Sequence, residues 1–481
     1  MKFVGNIASD SEVVKTADGA IVAGKPVIVN SDGTVSAISQ TSAGIGTAVD
    51  TGFDGSNGVV TTGLPGVSKF VAFGRDSGNS SYGTCIVGVV SGSSISYGSA
   101  SSTTIASTEN PDIIGLTSTT FVLVYTDWSD SNKGKARVGT IDASDNSITY
   151  GTVADFETGQ TALNGRNNVD RLTDTKFVIA FEDSSDSSNA KAIVGTVSGT
   201  SVSFGTAATF ATANSSKYST VGALSDTKIA IAWSDTPSPD PEDGKVVIGT
   251  VSGTSISYGS TVVYDSNRVI RHSLAALSDS KFVIAYDDDR TGNAYGTAIV
   301  GTVSGTSITL GTATVYRENN GAGGSYIPCV TKMTSDNFVV AFISADSEGN
   351  VIEGATSGTS VTFGSPIVVS DTGNTTVWAS LVNDEKVVVG SSLSSSFYVS
   401  VYTPQSTNLT TENFIGFAKD AVVDGAVATL HIANSISRNQ SSLTAGQTYF
   451  VQENATIGTT ADSTSVTAGT AISATELIVK G

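Results

Sequence analysis

The chain has 481 residues, with 25 Lys or Arg against 44 Asp or Glu, and so a formal net charge of -19. An acidic surface of this kind repels phosphate backbones and anionic headgroups, which excludes nucleic acid and anionic membrane as partners. Only 14 % of residues are charged, Gly reaches 51 and there are two His and two Cys, so the chain reads as β-rich and short of parts for disulfide, zinc or imidazole chemistry.

The start, Met1 to Asn6, lacks the apolar core of a secretion signal, and no apolar run is long enough for a membrane helix. No membrane insertion is expected. Residues 25–35 place two short β runs, Lys25-Pro26-Val27-Ile28-Val29 and Thr34-Val35, around the turn Asp32-Gly33, a hairpin signal. Residues 1–39 are therefore read as an N-terminal β segment that serves as a platform. Next comes Ala43-Gly44-Ile45-Gly46-Thr47-Ala48-Val49, which resembles Val202-Ser203-Phe204-Gly205-Thr206-Ala207-Ala208 later in the chain.

A repeat then dominates. Its clearest copy runs Ser273 to Leu277, a turn at Ser278-Asp279-Ser280, Lys281 to Tyr286, a polar loop, Gly296 to Val303, the turn Ser304-Gly305-Thr306-Ser307, and Ile308 to Thr312. The apolar residue after the first turn recurs at Phe70, Phe121, Phe177, Ile229, Phe282, Phe338 and Val387. Four short strands per copy and a period near fifty predict a seven-bladed β-propeller of four-stranded blades spanning residues 40–403. Stacked hairpins or separate small sandwiches are the alternatives. The second and third strands are apolar almost throughout, as in sheets covered on both faces. The seventh copy lacks a fourth strand, and residues 40–51 are expected to supply it, hiding an edge that would otherwise pair with other chains.

Residues 404–481 return to the design of the first segment, with Thr448-Tyr449-Phe450-Val451 and Ala455-Thr456-Ile457 as β runs. The fold expected is thus all-β, with the N- and C-terminal segments forming one small β domain and the ring inserted between them.

The stretch from Asn413-Phe414-Ile415-Gly416-Phe417-Ala418 through Leu443-Thr444-Ala445-Gly446-Gln447 to Thr475-Glu476-Leu477-Ile478-Val479-Lys480-Gly481 resembles the terminal domain of fibre and appendage proteins of tailed bacteriophages, notably those of cyanobacteria and other aquatic bacteria. Lys25 to Ile38 is similar to the N-terminal part of the same proteins. That resemblance implies a virion protein assembled in the host cytoplasm, with other tail, neck or capsid proteins as partners and a host-surface glycan as ligand. It transfers no functional residue.

Within the repeat, the turns between third and fourth strands hardly vary, whereas the loops between second and third strands, and those leading into the next copy, vary freely. In a propeller both variable sets project from one face. That face is expected to carry Trp128, Trp233, Arg268, Arg271, His272, Arg290, Tyr295, Tyr316, Arg317 and Tyr326, aromatic and Arg residues of the kinds enriched at binding surfaces. The proposed ligand contacts are Trp128, Trp233, Arg271, His272, Arg290, Tyr295, Arg317 and Tyr326. Asp76, Asp127, Asp183, Asp235 and Asp287 recur after the second strand; Asp127, Asp183, Asp287 and Asp289 are candidate Ca²⁺ ligands, although the spacing completes no EF-hand loop and Asp more commonly caps such turns. No cofactor and no catalytic residue is assigned, because acids that recur blade by blade follow a structural motif. The alternative readings are a capsid or tail decoration protein without receptor activity and, third, a glycan depolymerase using paired carboxylates. A monomer and a homotrimer are both compatible, since no heptad pattern drives a coiled coil.

Overall fold

Phe282-Val283-Ile284-Ala285-Tyr286 shows how one repeat folds. The run is aromatic and β-branched, suited to a strand, and it lies in the second strand of an antiparallel sheet ordered Val269–Ser278, Lys281–Asp288, Tyr295–Ser304, Ser307–Leu310. All five residues are fully buried, as a sheet packed on both faces requires. Phe282 pairs with Gly301, and its ring lies where a Cβ on that glycine would stand. The same couple recurs as Phe70 over Gly88, Phe121 over Gly139, Phe177 over Gly195 and Phe338 over Gly354.

The third and fourth strands close in five equivalent hairpins, registered Ser91↔Ser94, Ser198↔Ser201, Ser252↔Ser255, Ser304↔Ser307 and Ser357↔Ser360. The first loop residue is always Gly, at φ 61°, 60°, 64°, 61° and 61°. A two-residue hairpin with a left-handed first position selects glycine there.

The structure, a computed structural model, describes residues 11–54, 59–76, 82–103, 108–163, 168–212, 217–235, 242–289, 295–318, 328–344, 346–371, 373–383, 386–393, 396–462 and 464–480. By their contacts these fall into two units, residues 44–403 and residues 1–43 with 404–481.

In the larger unit the first strands of successive sheets are Val60–Gly63, Thr108–Gly115, Val169–Thr173, Lys217–Ser225, Val269–Ser278, Cys329–Lys332 and Asn374–Val382. Each packs on the next, and the last packs on the first. The sheet begun by Asn374–Val382 continues with Lys386–Leu393 and Ser396–Thr403. Its outer position is filled from the other end of the sequence: Gly44 pairs with Thr403, Ile45 with Tyr402, Val49 with Val399 and Asp50 with Tyr398. Apolar clusters fill the spaces between neighbouring sheets. One combines Phe53, Phe70 and Ile86 with Val388, Phe397 and Val401, so the beginning and end of the repeat array share a core.

In the smaller unit five strands are ordered Glu12–Thr16, Val427–Ile432, Phe414–Ala418, Pro26–Val29, Val35–Ala37, and the sheet's edges meet at a bridge between Ala17 and Val35. A second five-stranded sheet is built from residues 436–479. Ile28 and Phe417 of the first sheet and Tyr449, Val451 and Leu477 of the second bury one another. Among the described residues no helix is long and apolar enough to cross a membrane.

Candidate functional site

A sheet's first strand has one edge without a neighbouring strand, and its amides must find other partners if buried. Here the partners are side chains of the preceding sheet. Leu274 N donates to Thr220 Oγ1 (3.2 Å), Val330 N to Ser273 Oγ (3.1 Å) and Ala379 N to Cys329 Sγ (3.4 Å). Asn168 N donates to Asp112 Oδ2 (2.5 Å), and Asn168 Nδ2 passes a bond onward to Ser219 O (2.9 Å). Gly115 N donates to Thr62 Oγ1 (3.0 Å), and the last sheet reaches the first through Trp378 Nε1 to Thr61 O (2.9 Å). Asp112, Asn168, Thr220, Ser273, Cys329 and Trp378 are all buried.

These six occupy one column of the repeat, each nine positions before its landmark apolar residue, as 273 stands to 282. The first strands surround a cavity of about 400 Å³ with Thr62, Ile114, Arg171, Ala276, Lys332 and Leu381 among its lining. Asp170, also on that lining, accepts from Ala223 N at 2.7 Å and Arg171 N at 2.7 Å. Burial nevertheless pushes its carboxyl up to about 6. Asp112, Asp170, Arg171 and Trp378 on the cavity wall thus already bond within the protein.

The end bearing the variable loops is different in kind. Trp128 opens a 3-10 turn, Trp128–Asp130, capped by Asp127, and is 64 % exposed. Tyr295 is half-buried at the start of its strand. Arg317 is folded against the protein, with Nη2 donating to Asp287 Oδ1 at 2.7 Å. Arg268 is ion-paired with Asp289 and lies 3.5 Å from Glu242.

Two expected contact residues are not on the surface. Trp233 is 2 % exposed, its ring tilted against Phe210 at 5.2 Å between centroids in the core between two sheets. It precedes the loop by one pleat, so its side chain points between sheets rather than out of the end. His272 is fully buried, with Nδ1 3.4 Å from Ser234 Oγ, and burial holds it neutral, down to about 4. Tyr316 is likewise buried against Phe342 and Phe363. Arg290 and Tyr326 lie outside the described residues.

Asp127, Asp183, Asp235 and Asp287 each already hold a partner within the protein. Asp127 Oδ1 accepts from Ser129 N and Oγ. Asp183 Oδ1 accepts from Ser185 N and Oγ, while its Oδ2 takes Lys191 Nζ at 2.7 Å. Burial raises the Asp183 carboxyl, but the bonds from Lys191 and Ser185 outweigh it and hold the group below the usual carboxylate range. Asp235 is paired with Lys245. Strand pairing sets Asp127 against Lys133, Asp183 against Asn189 and Asp288 against Tyr295, which makes Asp288 the fifth sheet's counterpart and moves Asp287 one residue inward. Asp287 is buried beside Arg317, and burial raises it to about 7. Among the described residues no group of three His, Cys, Asp or Glu side chains is placed to hold a metal ion.

Sequence reading overlooked a second column. Where the first strands enter the variable-loop end they bulge, at residues 109–112, 217–220 and 270–272. Asn110, Tyr218 and Arg271, each eleven positions before its landmark, stand there at φ 45°, 57° and 51°. The column is conspicuous only once register is known.

No protein-family model matches the sequence, and no curated protein resembles it at a significant level. Solved structures do. A triple arginine-to-alanine mutant of AofleA from Arthrobotrys oligospora aligns over 86 % of this chain and 98 % of its own, with TM-score 0.38 and 7 % identity. Saccharomyces cerevisiae Sqt1 aligns over 76 % and 100 %, with TM-score 0.41 and 9 % identity. A mutant of the Aleuria aurantia lectin AAL in complex with Fucalpha1-6GlcNAc aligns over 78 % and 98 %, with TM-score 0.39 and 10 % identity. At these scores none of their activities carries across.

Proposed function

We propose that residues 44–403 form a closed seven-bladed β-propeller and that the protein is a bacteriophage virion component, a fibre or spike protein that binds a host-surface glycan through the variable-loop end of the ring. The ring is supported by the cyclic packing of the first strands and the shared core of the last and first sheets. The observation that carries the binding assignment is the contrast between the two ends. One end is made of five hairpins of the same length, register and glycine φ. The other presents non-equivalent side chains, with Trp128 exposed and Tyr218 and Arg271 on left-handed backbone. Architecture needs equivalent turns; recognition needs different ones. The virion assignment rests on the likeness of the flanking segments to phage appendage proteins, and the smaller unit is the part assigned to hold the other virion proteins.

Catalysis is not proposed, because the recurrent acids Asp127, Asp183 and Asp235 are engaged in caps and Lys pairs. A decoration protein without receptor is the second reading, favoured by the burial of Trp233 and His272. Labelled full-length protein is expected to bind host cells saturably, and Trp128→Ala to weaken that binding while melting unchanged. A folded protein that does not bind, yet is found on virions with gold-labelled antibody, supports decoration instead.

A further inference from the structure

We infer that the ligand is an acidic saccharide whose carboxylate is taken by Arg271, with the Tyr218 ring as the adjoining stacking face. This rests on the glycan-binding reading above and narrows it to a chemical class.

Tyr218 and Arg271 are equivalent bulge residues of Lys217–Ser225 and Val269–Ser278, first strands that pack directly on each other. Neither is glycine or asparagine, and each sits at a positive φ that a bulky residue rarely adopts. A bulge re-aims a side chain out of the pleat, and the buried His272 lies directly behind Arg271 in the strand. Two neighbouring strands thus hold the same strained turn with an aromatic on one and a guanidinium on the other.

Charge pairing gives the independent argument. Lys133, Lys135, Lys191, Lys245, Arg268 and Arg317 at this end each have a carboxylate within 4 Å. Arg271 has no hydrogen-bond or ion-pair partner among the described residues, although its charge is felt at Asp287, whose Oδ1 is already taken by Arg317. In a chain with net charge -19 a cation left over amid so many acids is available to an outside anion. A guanidinium fork matches a carboxylate in a bidentate pair, and a phenol ring offers a sugar both an apolar face and a hydroxyl.

The test uses the full chain on immobilised polygalacturonate, alginate, hyaluronate and polysialic acid, each beside its carboxyl-reduced form, with dextran as neutral polymer. Retention on at least one acidic polymer is expected, lost on carboxyl reduction and weakened at least tenfold by Arg271→Asn. Asparagine tolerates the left-handed backbone, so that variant keeps its fold, which an unchanged melting curve verifies. Tyr218→Asn should weaken binding as well, and Arg271→Lys should restore only part of it. Equal retention on reduced or neutral polymers, or an Arg271→Asn variant that binds as before, overturns the inference and leaves glycan binding standing. Retention on none of the polymers by protein that still binds host cells saturably overturns the inference alone, and absence of both overturns the glycan-binding reading as well.

Discussion

Gly46 offers a decisive substitution. Five glycines that follow fourth strands, Gly98, Gly151, Gly205, Gly259 and Gly311, each abut the third-to-fourth turn of the next sheet, and Gly46 abuts Ser93 of the first sheet in the same way. A Cβ on Gly46 would overlap the Ser93 carbonyl oxygen, a backbone atom that moves only with its hairpin. Gly364 is the natural control: the seventh sheet has no hairpin there, and a Cβ would meet only Glu353 O at 3.9 Å. Gly364→Ala is expected to stabilise by about 0.4–1 kcal/mol through the unfolded chain. Gly46→Ala gains the same entropy but carries about 1–3 kcal/mol of overpacking, a net loss of up to about 2.6 kcal/mol. Urea unfolding of the two variants and the parent, read at constant slope, measures the difference. Equal midpoints for Gly46→Ala and Gly364→Ala would refute the argument that residues 44–54 are clamped against the first sheet.

Thr220→Val keeps shape but removes the hydroxyl that accepts from Leu274 N, and should cost about 1–3 kcal/mol in the same unfolding assay. Asp287 carries a carboxyl raised from the usual range to about 7, so the folded state holds its proton more tightly than the unfolded one. Its contribution to stability is present below about pH 4, falls as pH rises, and is fully lost above about pH 7. Asp170, raised to about 6, acts with the same sign, whereas His272, lowered to about 4, favours the folded state as pH rises from 4 toward 6.5. Asp287→Asn should therefore melt higher than the parent at pH 8 and lose the difference near pH 4; a constant difference across that range contradicts the assignment. EDTA should leave the melting temperature within about 1 °C, since a bound ion would stabilise by mass action, and a larger drop would restore the calcium reading.

The all-β character and the four-strand rhythm were readable because they rest on local rules. Apolar runs such as Phe177 to Phe181 mark strands covered on both faces, and Ser-Gly-Thr-Ser admits one tight turn. Gly46 was recognisable because Ile45-Gly46-Thr47 repeats Phe204-Gly205-Thr206. Side-chain direction was not readable at strand ends. Trp233 and Trp128 both lie near the loop between second and third strands, yet Trp233 stands four positions after Ile229, inside its strand and in the core, while Trp128 stands seven after Phe121, past the strand end and on the surface. The run Asp287-Asp288-Asp289 allowed a one-residue slip, which the six-residue spacing from Phe121 to Asp127 corrects to Asp288 and strand pairing confirms. The column that joins the sheets hid behind its own variety, since Asp112, Asn168, Thr220, Ser273, Cys329 and Trp378 share no side-chain type, only the capacity to bond across a strand edge.

The pairing of Gly44 with Thr403 also dictates an order of events at the ribosome. The strand that completes the seventh sheet is synthesised first and must wait while some 350 residues emerge, a contact of very long sequence separation of the kind that slows folding. Until then the nascent array has two open edges, the exposed state in which long β chains mispair or aggregate. Sheets one to six are able to assemble as they appear, but the seventh gains its outer strand only after Thr403 has left the exit tunnel. A chain truncated before residue 396 should accordingly accumulate as an unlocked, protease-sensitive array, although six of its seven sheets are whole.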